Sequence, residues 1–215
     1  MQLLRNILVV SFVLFLGIGV QAEELKPADV VPVVNGEVYS RIARVEGEEG
    51  VTSLQYIRPN EDFKTWTSTV IYANYRIEEI GDDPQKVAVR LVEGLQALNP
   101  GAKYQLVGDE KGKVVLLDFL SWPPNRQYME LSVYRIQKDE AGEGVFTVQM
   151  SVRMPFYTEM TDELATELKT LRGSLLQQTI QIDMKKVIKR GVIVGVGDGV
   201  VEVDGKQIYS AEGLK

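Results

Sequence analysis

Four carboxylates are the strongest candidates for acid–base chemistry in this chain. Glu78-Glu79 and Asp82-Asp83 lie between a predicted strand and the first predicted helix. Such pairs can bind a cation, or flank a glycosidic bond when the two carboxylates lie about 5 to 9 Å apart. They are more typical of a solvated loop that ends in a helix N-cap. A carboxylate-dependent hydrolase is therefore an alternative function, and the acidic pairs alone do not define its site.

The chain contains neither histidine nor cysteine. Their absence excludes a serine–histidine triad, a thiol nucleophile and a conventional zinc site. The glycine-rich stretch 191–199 is followed by strand-like residues instead of a helix, so it does not match a dinucleotide-binding turn. We therefore assign no catalytic residue, no metal ligand and no cofactor, and we expect a function other than catalysis.

Two aromatic residues are the best candidates for contact with a ligand. Trp122 ends a predicted strand before Pro123-Pro124, and Tyr128 begins the next strand. A large aromatic side chain at a strand end beside a rigid turn is well placed at the rim of a groove for a sugar or a peptide. Aromatic side chains on strands more often fill the core. Trp122 and Tyr128 are therefore candidate ligand-binding residues, with core packing as the alternative.

A short basic run near the C-terminus is the candidate site for a partner. Lys185, Lys186, Lys189 and Arg190 stand together in an otherwise acidic chain. They can contact anionic head groups or an acidic partner, or they can form the solvated end of a helix. The residues beyond them contain Asp198-Gly199 and Asp204-Gly205, which favour short hairpins. We therefore predict a small β-rich C-terminal appendage over residues 184–215.

The first 22 residues have the pattern of a secretory signal peptide. Arg5 precedes an apolar run from Ile7 to Val20, and small residues follow at a cleavage site that ends at Ala22. The run is shorter than the roughly 20 residues that a membrane span needs. We therefore predict a periplasmic or secreted protein with no stable membrane span after cleavage. The net charge of −6 predicts that the chain does not bind nucleic acid.

Hydrophobic periodicity predicts the elements that position these residues. Two helices are indicated, one opened by Asp83-Pro84 and closed at Asn99-Pro100-Gly101, the other running from about Thr161 to Gln178. The remaining pattern is that of strands joined by polar, glycine-bearing turns. The predicted strands are Val38–Val45, Val51–Ile57, Thr65–Ile77, Tyr104–Val107, Val114–Trp122, Tyr128–Gln137 and Val145–Met154.

This order of elements predicts an α+β fold, mainly an antiparallel sheet flanked by two helices. With the Trp66-bearing strand before the helix at Pro84, it resembles the PsbP-like fold between about Tyr39 and Gln178. Known members of that fold include exported adaptor proteins without a catalytic site, so the resemblance implies binding. We expect a signal peptide over 1–22, an α+β domain over 23–183 and the appendage over 184–215.

Together, these observations predict an exported envelope protein that acts as a non-enzymatic binding or adaptor module. The expected partner is an envelope protein or an envelope glycan. The alternative is the carboxylate-dependent hydrolase, acting on an envelope glycan, and it requires two acids that converge in a cleft.

Overall fold

A computed structural model describes residues 22–25, 31–45, 49–109, 112–139, 144–182, 201–203 and 206–209. Its helices are α1 (Pro84–Leu98) and α2 (Asp162–Gln181). Its strands are β1 (Ala22–Leu25), β2 (Val33–Val34), β3 (Glu37–Val38), β4 (Arg41–Val45), β5 (Val51–Ile57), β6 (Ser68–Tyr75), β7 (Lys103–Gly108), β8 (Val114–Ser121), β9 (Tyr128–Lys138), β10 (Val145–Pro155), β11 (Val201–Val203) and β12 (Lys206–Tyr209).

Eight strands form one antiparallel sheet in the order β1-β4-β5-β6-β10-β9-β8-β7. Strands β4 to β6 form one run of consecutive hairpins, and β7 to β10 form a second run. The two runs meet where β6 pairs with β10, from Ser68 opposite Val152 to Tyr75 opposite Val145. Two small separate hairpins, β2–β3 and β11–β12, complete the described strands. The predicted α+β class is confirmed.

The sheet buries both of its faces, and one helix packs on each. Residues that alternate along a strand point to opposite faces, which separates two apolar clusters. The first cluster joins α1 to one face and includes Val87, Leu95, Leu117, Phe119 and Ile136. The second lies on the other face beneath α2 and the β2–β3 hairpin, and includes Tyr39, Tyr56, Val133, Met150 and Leu175.

Local sequence signals explain where both helices begin. Asp83 is the N-cap of α1, where its carboxylate accepts a 2.9 Å hydrogen bond from the backbone N–H of Gln85, and Pro84 follows at the first helical position. Thr161 caps α2 in the same way, since its hydroxyl accepts from the N–H of Leu164. Both predicted helix starts are confirmed.

Two arginines attach α2 to the sheet. The guanidinium of Arg172 donates two 2.7 Å hydrogen bonds to the carboxylate of Asp118 on β8, a bidentate pair that fixes both distance and orientation. Arg135 on β9 donates to the carbonyls of Ile180 and Ile182, where the helix leaves carbonyls without partners of their own. Polar contacts therefore supplement a helix face on which only Leu164, Leu175 and Thr179 are buried.

The structure differs from the predicted elements mainly at the start of the fold. Strand β6 begins at Ser68, so Trp66, which was predicted to lie on a strand, belongs to the preceding loop and is buried there. Strand β1 was not predicted, because four residues with two acids carry no alternating apolar pattern. It joins the sheet through backbone pairing with β4.

Gly50 and Gly36 offer a matched test of turn geometry. Both have nearly the same left-handed φ, +82° and +80°. A Cβ at Gly50 would lie 2.6 Å from the carbonyl oxygen of Arg76, whereas a Cβ at Gly36 would meet nothing within 4 Å. We expect Gly36→Ala to lower the free energy of unfolding by about 1 kcal/mol and Gly50→Ala to lower it by roughly 2 to 4 kcal/mol. Urea denaturation of both variants measures this, and equal losses would contradict the close approach.

Candidate functional site

Aromatic side chains gather at one end of the sheet, where β8, β9 and β10 begin or end. Trp122 directly follows β8, and Tyr128 begins β9 across a short turn. Phe156 follows β10, and its ring lies edge-on to Trp122 with 6.2 Å between the ring centroids. All three side chains are half-buried, so each keeps a surface in solvent while the backbone behind it is fixed.

The end of α1 holds Trp122 in place. The side-chain amide of Asn99, the C-cap of α1, donates a 2.8 Å hydrogen bond to the Trp122 carbonyl. Gly101 lies against the indole, since a Cβ at this position would come within 3.0 Å of the ring. The helix stop that the sequence predicts at Asn99-Pro100-Gly101 therefore also positions the ring.

Arg126 lies over the same aromatic group in a strained conformation. Its φ of +53° is left-handed, which is uncommon for a residue other than glycine, asparagine or aspartate. The guanidinium carbon lies 5.6 Å from the centroid of Phe156, within the range of a cation–π contact. The next residues after Phe156 add exposed apolar surface at Tyr157 and Met160. We call this surface the aromatic rim, formed by Trp122, Arg126, Tyr128, Phe156, Tyr157 and Met160.

Behind the rim, a second arginine is stacked between two rings. The guanidinium of Arg153 lies 3.6 Å from the Trp66 centroid and 4.3 Å from the Tyr128 centroid. Its Nε forms a 3.3 Å ion pair with Glu130, its direct neighbour across β9 and β10. Its Nη1 donates to the carbonyl of Lys64. The contact with Arg153 therefore fixes the position of the Tyr128 ring.

Glu130 is a fully buried acid within this arrangement. Burial raises the pKa of Glu130, and the charge of Arg153 and the hydroxyls of Ser132 and Ser151 oppose that rise. The hydroxyls of Ser132 and Ser151 also share a hydrogen bond, with 2.7 Å between their oxygens. The side-chain amide of Gln149 donates a second hydrogen bond to the Ser151 hydroxyl. The carboxylate is held by an ion pair and hydroxyls in a closed network, which is the arrangement of a structural acid.

The same face of the sheet carries a second buried glutamine amide, which, unlike that of Gln149, has no hydrogen bond among the described residues. Gln55 on β5 is fully buried, and neither its amide nitrogen nor its amide oxygen has a hydrogen-bond partner among the described residues. Along the sheet it lies in one row with Ile71 and Gln149. An unpaired buried amide costs roughly 1 to 3 kcal/mol.

The predicted site residues have different outcomes. Trp122 and Tyr128 are both placed at the aromatic rim, and each has its own supporting contacts. The acidic pairs do not converge: Asp83 caps α1, Asp82 binds Lys138, and Glu78 and Glu79 are exposed. No group of three or more acids in the described ranges is arranged to hold a metal ion. Lys185, Lys186, Lys189 and Arg190 lie outside the described residues.

Arg126 and Arg153 were not predicted as members of this site, whereas Phe156 belongs to the aromatic residues that the sequence offers as the lining of a groove. Arg153 and Glu130 lie 23 positions apart, so their pairing depends on the register of β9 and β10, which no local pattern specifies. A usable signal was present in the alternation of β10, where polar Gln149, Ser151 and Arg153 recur at every second position of a buried strand.

Comparison with known proteins places this α+β chain in a family. The model of one uncharacterised protein family matches residues 34–184, more than two thirds of the chain, and the chain belongs to that family. The matched range contains both helices, strands β3 to β10 and the whole aromatic rim.

No solved structure matches the chain. Neither α1 nor α2, the two helices in the part of the chain that the structure describes, is long and apolar enough to cross a membrane.

The raised pKa of Glu130 predicts how the free energy of unfolding depends on pH. Its pKa is higher in the folded state than in the unfolded chain, so unfolding releases a proton between the two pKa values. The stability that it contributes therefore falls as the pH rises from the ordinary glutamate range through the folded pKa. We expect the difference in unfolding free energy between wild type and Glu130→Gln to decrease as the pH rises from the ordinary glutamate pKa of about 4 through the raised pKa of Glu130. Denaturation over this range measures it, with exposed Glu93→Gln as the control; a rising difference would contradict it.

The two buried glutamines predict opposite effects of the same substitution. Gln55→Leu removes an amide that has no hydrogen-bond partner among the described residues, so we expect the free energy of unfolding to rise by about 1 kcal/mol. Gln149→Leu breaks the bond to Ser151 and should lower it by a similar amount. Thermal and urea denaturation compare the two variants. A loss of stability in Gln55→Leu would mean that its amide is hydrogen-bonded in solution.

Proposed function

We propose that this protein is exported to the cell envelope and acts there as a non-enzymatic binding or adaptor module. In this proposal the aromatic rim binds a segment of a partner protein. The N-terminal signal pattern supports export. The single observation that carries the binding role is the rim itself, a set of aromatic, methionine and arginine side chains that remain partly or largely exposed while the fold fixes their backbone.

The composition of the rim favours a protein partner. Tyrosine, tryptophan, phenylalanine, methionine and arginine are enriched at protein–protein interfaces. Tyrosine, tryptophan and arginine are also the residues most often found at binding hot spots. Tyr157 and Met160 are 44% and 57% exposed, and both follow Phe156 in one connection. Large apolar side chains concentrated in one exposed connection are typical of an interaction surface.

The charge of the rim indicates the chemistry of the partner segment. The chain as a whole is acidic, with a net charge of −6, whereas the rim carries the exposed cation of Arg126. A left-handed arginine costs of order 1 kcal/mol, and its position over Phe156 presents the guanidinium beside the aromatic surface. The matching segment has apolar side chains next to an acidic residue.

Site-specific photo-crosslinking tests the rim in the cell. A photoreactive phenylalanine analogue replaces Tyr157 in the full chain, and the same analogue at Val89 on α1 serves as the control, because Val89 is 48% exposed. We expect one crosslinked protein product from position 157 and none from position 89. Equal products, or none at either position, would contradict the proposal.

Two further variants identify which feature carries the contact. Arg126→Asn introduces a residue that tolerates left-handed φ and removes the cation, so we expect the crosslinked product to fall about tenfold without loss of stability. Deletion of residues 184–215 leaves the product intact if the rim binds, and abolishes it if the basic run does. A glycan partner would instead change the fluorescence of Trp122 upon addition of envelope glycan fragments, without a protein product.

A further inference from the structure

Strand β7 lies at one edge of the large sheet. Among the described strands it pairs only with β8, and all six of its residues are exposed. The exposed apolar side chains include Tyr104 at 41%, Leu106 at 37% and Val107 at 59%. An edge strand presents unpaired backbone N–H and C=O groups, to which another strand can add.

Most of the usual protections against strand addition are missing from β7. It contains no proline, and its pairing with β8 is continuous from Lys103 opposite Leu120 to Gly108 opposite Val115, without a bulge. Its single charged residue, Lys103, stands at its first position. Natural edge strands commonly carry lysines, prolines or bulges that prevent such pairing, and of these β7 has only the lysine at its end. A contact with α2 also holds β7 in place, because Gln105 accepts a hydrogen bond from Arg172 on that helix.

We propose that β7 is a self-association surface, at which the β7 strands of two copies pair antiparallel across a two-fold axis that passes through Leu106. The two large sheets then become one continuous sheet. A two-fold axis makes the interface isologous, so every contact occurs twice.

Charge complementarity indicates that the added strand is β7 of a second copy, and it also sets the register of the two strands. With Leu106 opposite Leu106 of the second copy, Lys103 at the start of β7 lies directly opposite Asp109 of the second copy, the residue that follows β7, and this pair occurs at both ends of the interface. Opposite charges placed across antiparallel strands stabilise the pair. A shift by two residues in either direction separates these charges, and a shift by one residue turns the side chains to the wrong face.

The remaining pairs fit the same register. Tyr104 lies opposite Gly108 of the second copy, where an aromatic ring can cover a glycine. Gln105 lies opposite Val107 of the second copy. The pairing of two short strands buries a small area, so we expect a weak dimer with a dissociation constant in the micromolar range. This proposal rests on the edge of the sheet and is independent of the aromatic rim.

Single cysteines test the register, because the chain has none of its own. Directly opposite residues have their Cα atoms about 4.5 to 5.5 Å apart, within the range that a disulfide requires. We expect the full chain with Leu106→Cys to form a disulfide-linked dimer under mild oxidation. The Val107→Cys variant should remain monomeric, although position 107 is more exposed than position 106. Residue 107 lies diagonal to residue 107 of the second copy, and diagonal neighbours are about 7 to 8 Å apart. Equal crosslinking of both variants, or of neither, overturns the proposal.

Sedimentation measures the charge contribution without any cysteine. Lys103→Glu places acids opposite each other at two positions, and we expect it to weaken the dimer about tenfold. Lys169→Glu makes the same change of charge at an exposed position on α2 and should leave the dimer unchanged. A wild-type chain that stays monomeric at the highest concentrations, or equal effects of the two variants, also overturns the proposal.

Discussion

A charge buried within a sheet face must keep its partner, and the Arg153–Glu130 pair imposes this constraint on the structure. Removal of one member of such a pair leaves an uncompensated charge and typically costs about 3 to 5 kcal/mol. The guanidinium simultaneously contacts Trp66, Tyr128 and the backbone of Lys64. One side chain therefore connects β9, β10 and the loop before β6. The position of Tyr128 at the rim depends on a contact made in the interior.

Most of the fold was predictable from the sequence, because its signals are local. The Asp83-Pro84 start of α1 and the polar turns between hairpins identified nearly all of the large elements within a few residues. The strand order was a different matter. The pairing of β6 with β10 depends on burial of both faces at once, and alternation within each strand says nothing about its neighbours. β1 was missed because its place depends on backbone hydrogen bonds to β4.

The candidate site was predictable only in part, for the same physical reason. Trp122 and Tyr128 could be selected because each stands at a strand end beside a rigid turn. The contact between Trp122 and Phe156 could not be predicted, since the two residues lie 34 positions apart and meet only through the register of the sheet. The acidic pairs show the opposite case. Adjacent carboxylates are conspicuous in a sequence, but here Asp83 caps a helix and Asp82 pairs with a lysine.

The junction between β6 and β10 also affects the time at which the chain can fold. Residues paired at this junction are separated by 70 to 84 positions, from Val145 with Tyr75 to Val152 with Ser68. Contacts between such distant segments carry a large loop-closure entropy and are associated with slow folding. The central pairing cannot form until synthesis has passed β10. A chain that must cross a membrane unfolded, as the proposed export requires, gains from this delay, because its two halves remain unjoined during passage.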